Sequence, residues 1–582
     1  MSAIRDTARL LGSYVAGRKA SLAGLALAIL ASNGLRLANP LVLRSFIDAV
    51  SSIVAGGTAP APLFRHAALY MAIAVAVQLL AVAAAWLGQD LGWKATNDLR
   101  LDLMRSTMAM DMAWHKEHAP GELIERVDGD SRVLMGFFSD FSIRVAGSAA
   151  LLVGVLVTLF VENPWIGAAM TAFACLAAVF LVRIGLAAVP AWKASREAWA
   201  GFFGFLGERL AGREDLRGLG AVGHARDGVR ERLKAWYPVR RKSHLLGYMM
   251  WTSSELVAGI GTILSLGLGA FFWRRGVITL GTVYLVYAYM ELIRQPLDEM
   301  REQLEEMQKA LAGTSRVGEM LALRPALSYG EAHLGGGAVG LAFRDVSFAY
   351  EPGKPVLDGV SFDVEPGTTL GIVGRTGCGK TTVGRLALRL YDRDAGEVIL
   401  GGRDIRDYSR ASLRRNLAVV TQDVELFDGS VRDNARVRDP SIGDDAIMEA
   451  ITALGLEPWL SRFPGGLDER LGPGGAGMSA GQAQLLAMVR VFLRDPGLVI
   501  LDEASSRLDP ATEALIDGAV ARLLRGRSSI IIAHRLSTLD RADAVLVMEA
   551  GRVVERGERA ALAADPSSRF AGLIRAGAGG AP

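Results

Sequence analysis

Residues Gly374 to Thr382 read GRTGCGKTT and follow the apolar run TLGIV. A strand that passes through glycines into a helix lets successive backbone N–H groups curl around a phosphate. In such a loop Gly374, Arg375, Thr376, Gly377, Cys378 and Gly379 form the cradle. Lys380 reaches phosphate oxygens, and Thr381, with Thr382 beside it, offers a hydroxyl to Mg2+. Glycine-rich turns also arise by chance, so the strand before and the helix after carry the reading. A second run, LVILDE, covers Leu498 to Glu503. Its four apolar residues suit a buried parallel strand. Asp502 at the end would hold Mg2+ directly or through water, and Glu503 would polarise an attacking water. Many strands end in acidic residues; the pairing with a phosphate loop upstream is what points to nucleotide hydrolysis.

These residues need a sheet to hold them. From about Val339 short β-type runs (LAFRDVSFAY, PVLDGVSFDV, TLGIVG) alternate with turns and helices, an α/β pattern. Before that point the texture differs. The chain has 582 residues, 51% of them apolar, and a mean hydropathy of +0.27, which fits a membrane part joined to a soluble part. Net charge is only +3, and no nucleic-acid partner is expected. The two cysteines, Cys175 and Cys378, lie in unlike settings, so a disulfide is not expected and a reducing cytosolic face fits. The basic N-terminus with Arg5, Arg9, Arg18 and Lys19 is not read as a cleaved signal, because the apolar stretch runs on too far.

Six apolar runs precede residue 300, and each can cross a ~30 Å hydrocarbon layer. They predict six transmembrane helices near 20–48, 65–90, 143–161, 164–186, 250–273 and 277–300. Basic residues set the orientation. Lys94, Arg100, Arg105, Lys116, Arg126 and Arg132 fall between runs two and three, and thirteen Lys or Arg between runs four and five. Ser51 to Phe64 has none; only Arg274 and Arg275 break the pattern. Both long loops, the termini and the ATPase part are therefore expected in the cytosol. Loops of roughly 55 and 70 residues without structure would be improbable, so the membrane helices should continue outward and return. Residues 94–115 and 193–236 read as helix. After run six comes the charged helix LDEMREQLEEMQKAL, which leads to the break at Gly335, Gly336 and Gly337. The expected domains are a transmembrane domain at 1–315, a linker at 316–338 and a nucleotide-binding domain at 339–578.

Taken together the motifs resemble those of ATP-binding cassette transporters, exporter type, whose half-transporters fuse six helices to one ATPase domain. The resemblance covers essentially the whole chain. It implies a membrane α-helical domain with long cytoplasmic extensions plus an α/β P-loop NTPase domain with a helical subdomain. It also implies ATP and Mg2+ as ligands. By it Tyr350, in VSFAY, stacks on adenine, and Gln422, in VVTQD, contacts Mg2+ and senses the γ-phosphate. Met478 to Gln482 (MSAGQ) occupies the signature position, so Ser479, Ala480, Gly481 and Gln482 would meet the nucleotide of a second subunit. Asp509 belongs to the SRLD loop that speaks across the dimer, and His534, in IIAHR, reaches the γ-phosphate.

The same resemblance requires dimerisation, since ATP lies between the phosphate loop of one subunit and the signature of the other. Departures from the pattern cluster on the lent side: Met478, Ala480, Ala483, Pro473 and Arg507 replace the usual residues. That favours a heterodimer with unequal sites over a homodimer. Ala480 is tolerable where a glycine is usual, provided its φ is negative. Coupling helices are expected at the loop tips, near Glu125 to Val133 and near Gly212 to Gly220. The second would dock on the opposite ATPase domain around Gln422 to Phe427.

Ionisable residues inside membrane runs usually face a cavity or a partner. Arg36 sits midway along run one; Glu291, Arg294 and Gln295 sit in run six. A pairing of Arg36 with Glu291 is expected, structural rather than cargo-binding. Cys378 within the phosphate loop makes alkylation a route to inactivation, with MgATP protecting. The expected function is ATP-driven export of a small molecule, lipid or peptide, by a multi-pass protein of a bacterial inner membrane. Metal-chelate import on the same fold, and an ATP-binding regulatory subunit, are the alternatives. The sequence does not reveal the cargo.

Overall fold

A computed structural model describes residues 9, 10, 12–54, 63–136, 142–475, 477–502, 509–533 and 536–578. Contacts divide them into two compact units. One comprises the described chain before Ala109 together with Pro120–Leu323. The other comprises Ala109–Ala119 and the described chain from Arg324 onward.

The first unit is built on six long helices: α1 (Lys19–Val54), α2 (Leu63–Ala109), α3 (Ser142–Glu162), α4 (Pro164–Ala211), α5 (Val222–Arg274) and α6 (Leu280–Ala322). Their outer ends are set by local chemistry. Asn163 accepts hydrogen bonds from the N–H groups of Trp165 and Ile166, with Pro164 opening α4, so a single residue between the two helices suffices to turn the chain. Thr279 caps α6 through the N–H of Thr282. Helices α2, α4 and α5 have 47, 48 and 53 residues. At 1.5 Å per residue they are ~70–80 Å long, more than twice a ~30 Å hydrocarbon layer. The long mixed-charge loops are thus helical extensions.

Among the described residues, five helices are apolar enough to cross a membrane by length and composition; α6 is not one of them. Glu291, Arg294 and Gln295 interrupt its apolar run. It tolerates them because it packs against α1, α3, α4 and α5, and Leu285, Val286, Tyr289 and Ile293 are fully buried. Opposite them stand Leu151, Val155 and Leu159 of α3 and Ile166 and Met170 of α4, at helical spacing. The Tyr289 hydroxyl donates to Leu37 O of α1 at 2.9 Å. Large apolar side chains such as Leu79, Trp165 and Ile263 point outward, as a lipid-facing surface requires.

Two expectations need correction. Arg36 does not pair with Glu291: its Nη1 donates to Gln295 Oε1 at 3.2 Å, one turn further along α6. Arg294 pairs instead with Glu255 of α5 at 2.5 Å and with Asp298 at 3.7 Å. Nor do residues 125–133 form a loop tip. The tip is Ala109–Ala119, with a short helix Met112–Glu117, and the chain returns from Pro120. Glu125–Gly129 is one π turn inside the return helix, and Asp130 is buried there, receiving Arg316 Nε at 2.8 Å and Nη2. The second tip stands where expected: Arg213–Gly218 is a short helix, and Gly220 turns at φ +67°.

The second unit carries twelve strands in three sheets among the described residues. β1 (Leu341–Glu351), β2 (Lys354–Val364), β4 (Ala395–Leu400) and β5 (Arg403–Asp404) form an antiparallel sheet in the order β2-β1-β4-β5. The six-stranded sheet runs β12-β11-β3-β10-β9-β6, where β3 is Thr369–Gly374, β6 Leu417–Val420, β9 Leu498–Asp502, β10 Ser528–Ile532, β11 Ala544–Glu549 and β12 Arg552–Glu558. All but β12 are parallel. β7 (Gly429–Ser430) and β8 (Arg470–Leu471) pair beside the small helices. β3, β9 and β10 are buried on both faces, which explains their unbroken apolar sequences.

Asp130→Asn keeps the shape of the Arg316 partner but removes its charge. It should destabilise the helical unit by about 1–3 kcal/mol, read as a lower thermal transition of the purified full-length protein; an unchanged transition would show the pair to be idle.

Candidate nucleotide site

The parallel register brings the site together. Ile532 of β10 lies level with Ile372 of β3 and with Asp502 of β9, and Val420 of β6 lies level with Leu501. The carboxyl ends of four strands therefore finish side by side, where open parallel sheets bind ligands.

β3 ends at Gly374, where a Cβ would stand 2.2 Å from Met548 O. Gly377 and Gly379 adopt φ of +86° and +103°, which side chains disfavour. The loop then opens helix α7 (Lys380–Ala387). Lys380 is buried, and its ammonium is turned into the loop, donating to Gly374 O at 2.7 Å and Arg375 O at 3.2 Å. Cys378 is also buried, its Sγ 4.0 Å from that ammonium. The thiol is thus less open to alkylation than its place in the loop suggests.

A cavity of about 540 Å³ adjoins this loop. Tyr350, Thr381, Thr382, Gln422, Asp502 and Arg385 are among its walls. Thr381, Gln422 and Asp502 offer hydroxyl, amide and carboxylate oxygens, the hard donors that Mg2+ takes. Among the described residues no cluster of His, Cys, Asp and Glu competes as a metal site. The Tyr350 hydroxyl lies 3.2 Å from Thr382 Oγ1 and accepts from Arg385 Nη1 at 3.0 Å. The ring meets Tyr391 edge-on at 5.1 Å, and the Lys116 ammonium stands 4.8 Å from its centre. Sequence reasoning missed Arg385, Tyr391 and Lys116. Arg385 was within reach, on the helix that Lys380 opens; Lys116 is remote in sequence and gave no signal. The tip segment that carries it is fixed by Asp111, which accepts from the N–H groups of Ala326 at 2.5 Å and Leu327 at 3.0 Å.

The signature residues stand elsewhere. Ser479 caps helix α8 (Ala480–Phe492) in a reciprocal box: its Oγ accepts from Gln482 N at 3.3 Å, and Gln482 Oε1 accepts from Ser479 N at 2.9 Å. Ala480 is the first helical residue and has no positive φ, so its methyl is accommodated. Asp509 caps helix α9 (Pro510–Leu523); hydrogen bonds from Thr512 hold its carboxyl below the usual range. Ser479, Ala480, Gly481, Gln482 and Asp509 do not line the cavity. Glu503, His534, Ser506 and Arg507 lie outside the described residues.

A glycine cradle closed by a lysine, at the end of a central parallel strand and in one chain with long apolar helices, defines a P-loop ATPase joined to a membrane domain. Family comparisons agree. Residues 357–506 match the ABC transporter family model, and residues 22–297 match the ABC transporter transmembrane region. The chain belongs to the ABC transporter family, as a half-transporter with a fused ATPase. It is 31% identical to the fatty acid ABC transporter ATP-binding/permease protein of Mycobacterium bovis, over 90% of this chain and 83% of that protein. It is 30% identical to the ATP-dependent lipid A-core flippase of Aromatoleum aromaticum, over 90% and 88%. An uncharacterized ABC transporter ATP-binding protein of Bacillus subtilis, YknV, is 29% identical over 84% and 81%. The chain is accordingly a multi-pass membrane protein that binds ATP, and an ATPase coupled to transport.

Maleimide should label Cys378 at least tenfold more slowly in the native protein than after denaturation, as read by mass spectrometry. Each adduct should abolish ATPase activity, because it fills the space beside Lys380.

Proposed function

We propose that this chain is one half of an exporter of lipid-like or other small amphiphilic cargo, seated in a bacterial inner membrane and driven by ATP held between two subunits. The gathering of Tyr350, Thr381, Thr382, Gln422 and Asp502 around one cavity beside Lys380 carries the ATP-site reading. Two relatives named for fatty acid and lipid A-core cargo support the amphiphile.

In this reading Tyr350 stacks on adenine, a contact worth about 1–3 kcal/mol for a base on an aromatic ring. The loop N–H groups from Gly374 to Thr382 bind the β-phosphate, and Lys380 leaves its carbonyl partners for the β- and γ-phosphate oxygens. Mg2+, held by Thr381, Gln422 and Asp502, would neutralise phosphate charge. Glu503 takes a proton from the attacking water, His534 donates to the γ-phosphate, and Gln422 reports the phosphate to its loop. Ser479 and the first N–H groups of α8 grip the γ-phosphate of the other subunit. Attack of the water breaks the bond from the γ-phosphorus to the bridging oxygen, which leaves with ADP; departure of the free phosphate then removes the charge that both subunits gripped and frees them.

Glu503→Gln should lower ATP turnover at least 100-fold while leaving MgATP binding within a few-fold. Lys380→Ala should lose both. Turnover that survives either change would sink the proposal.

The substituted signature side, with Met478, Ala480, Ala483 and Arg507, supports a heterodimer in which this chain hydrolyses ATP well but lends a weak surface. Purified alone, it should turn over ATP at least tenfold more slowly than with its partner. A fully active dimer of this chain with two working sites would show a homodimer instead.

A further inference from the structure

A cavity of about 370 Å³ opens among α1, α2, α3 and α6. With the basic loops in the cytosol it lies at the inner-leaflet level, since Ser148 stands near the cytosolic start of α3 and Glu299 near the cytosolic end of the apolar part of α6. A polar chain crosses one wall. Arg36 Nη1 donates to Gln295 Oε1 at 3.2 Å, and Gln295 Nε2 donates to Glu299 Oε1 at 2.8 Å. Ser148 Oγ donates to the other Glu299 oxygen. Asn33 is committed to Gly147 O at 2.7 Å.

This chain begins in a guanidinium, ends in a carboxylate, and is bridged by an amide that neutralises neither. Among the described residues, Arg36 has no ion-pair partner and neither does Glu299. Two other arginines on these helices behave differently: Arg294 pairs with Glu255 and Asp298, and Arg44 with Glu162 and Asp48. Uncompensated ionisable groups at membrane depth mark ligand paths.

The net charge of the pair selects the ligand. A lone anion at Arg36 is repelled by Glu299 one amide away, and a lone cation at Glu299 is repelled by Arg36. Coulomb energy falls only as the inverse of distance, so that repulsion takes back much of the gain. A group carrying both charges, laid antiparallel to the pair, gains at each end. We infer that this cavity binds a zwitterionic headgroup, with its anionic part on Arg36 and its cationic part on Glu299. Gln295 is the positioning residue that fixes their spacing. Calling the ligand cargo rests on the transport reading; its binding does not.

The full-length chain, in an uncharged maltoside detergent without nucleotide, is titrated with octyl phosphocholine, octyl phosphate and octyl trimethylammonium, which share one tail. The zwitterion should bind at least tenfold more tightly than either single ion. Glu299→Gln should move the preference to the phosphate and Arg36→Gln to the ammonium, whereas Arg36→Lys should keep the original order. Equal binding of all three heads by the unaltered chain, or an order unchanged by both charge-removing variants, overturns the inference. Phosphocholine without a tail is the source arm: binding as tight as the octyl compound assigns a soluble zwitterion, and binding that needs the tail assigns a lipid-like one. ATP turnover in the same preparations separates a failure here from a failure of the ATPase reading.

Discussion

Ile532 sits level with Ile372 on one side and Asp502 on the other, and the residues that line the cavity beside the phosphate loop inherit their places from that alignment. A polyphosphate carries several negative charges in a small volume. Donors, a cation and oxygen ligands must meet it from several directions at once, and no single loop can supply them all. The sheet solves this by ending its strands together. A slip of one residue between β9 and β10 would turn Asp502 to the other face, because side chains alternate along a strand. Five parallel strands buried on both faces make such a slip costly, so the core of the second unit is also what keeps its chemistry in place.

The phosphate loop was legible because its demands are local. Glycine is required where φ is positive, as at Gly377 and Gly379, and lysine where a helix opens. The membrane helices were legible because lipid imposes a length and a composition. The exception is instructive: α6 carries Glu291, Arg294 and Gln295 and falls short of the apolar standard, since its neighbours rather than lipid surround it.

What sequence could not show was the axial offset between helices. Arg36 and the acidic members of α6 were recognisable as membrane charges, yet a shift of one turn decides whether Arg36 meets Glu291 or Gln295. The first loop tip failed for a related reason. Residues 125–133 are charged and look like a surface turn, but Asp130 is buried under Arg316, a residue far away in sequence. Pro120, a residue favoured in the first turn of a helix, was the local sign that the return began earlier. The role of Lys116 beside Tyr350 depends on that same misplaced tip.

The 53 residues of α5 form one helix with no break in its backbone assignment, although Pro238 lies within it. A rod of ~80 Å converts angle into displacement: tilting it by about 5° about one end carries the other through roughly 7 Å. Mechanical leverage of that size is more than twice the ~3 Å length of a hydrogen bond. A change too small to disturb side-chain packing at one end of α5 is therefore large enough to make or break a whole layer of contacts at the other.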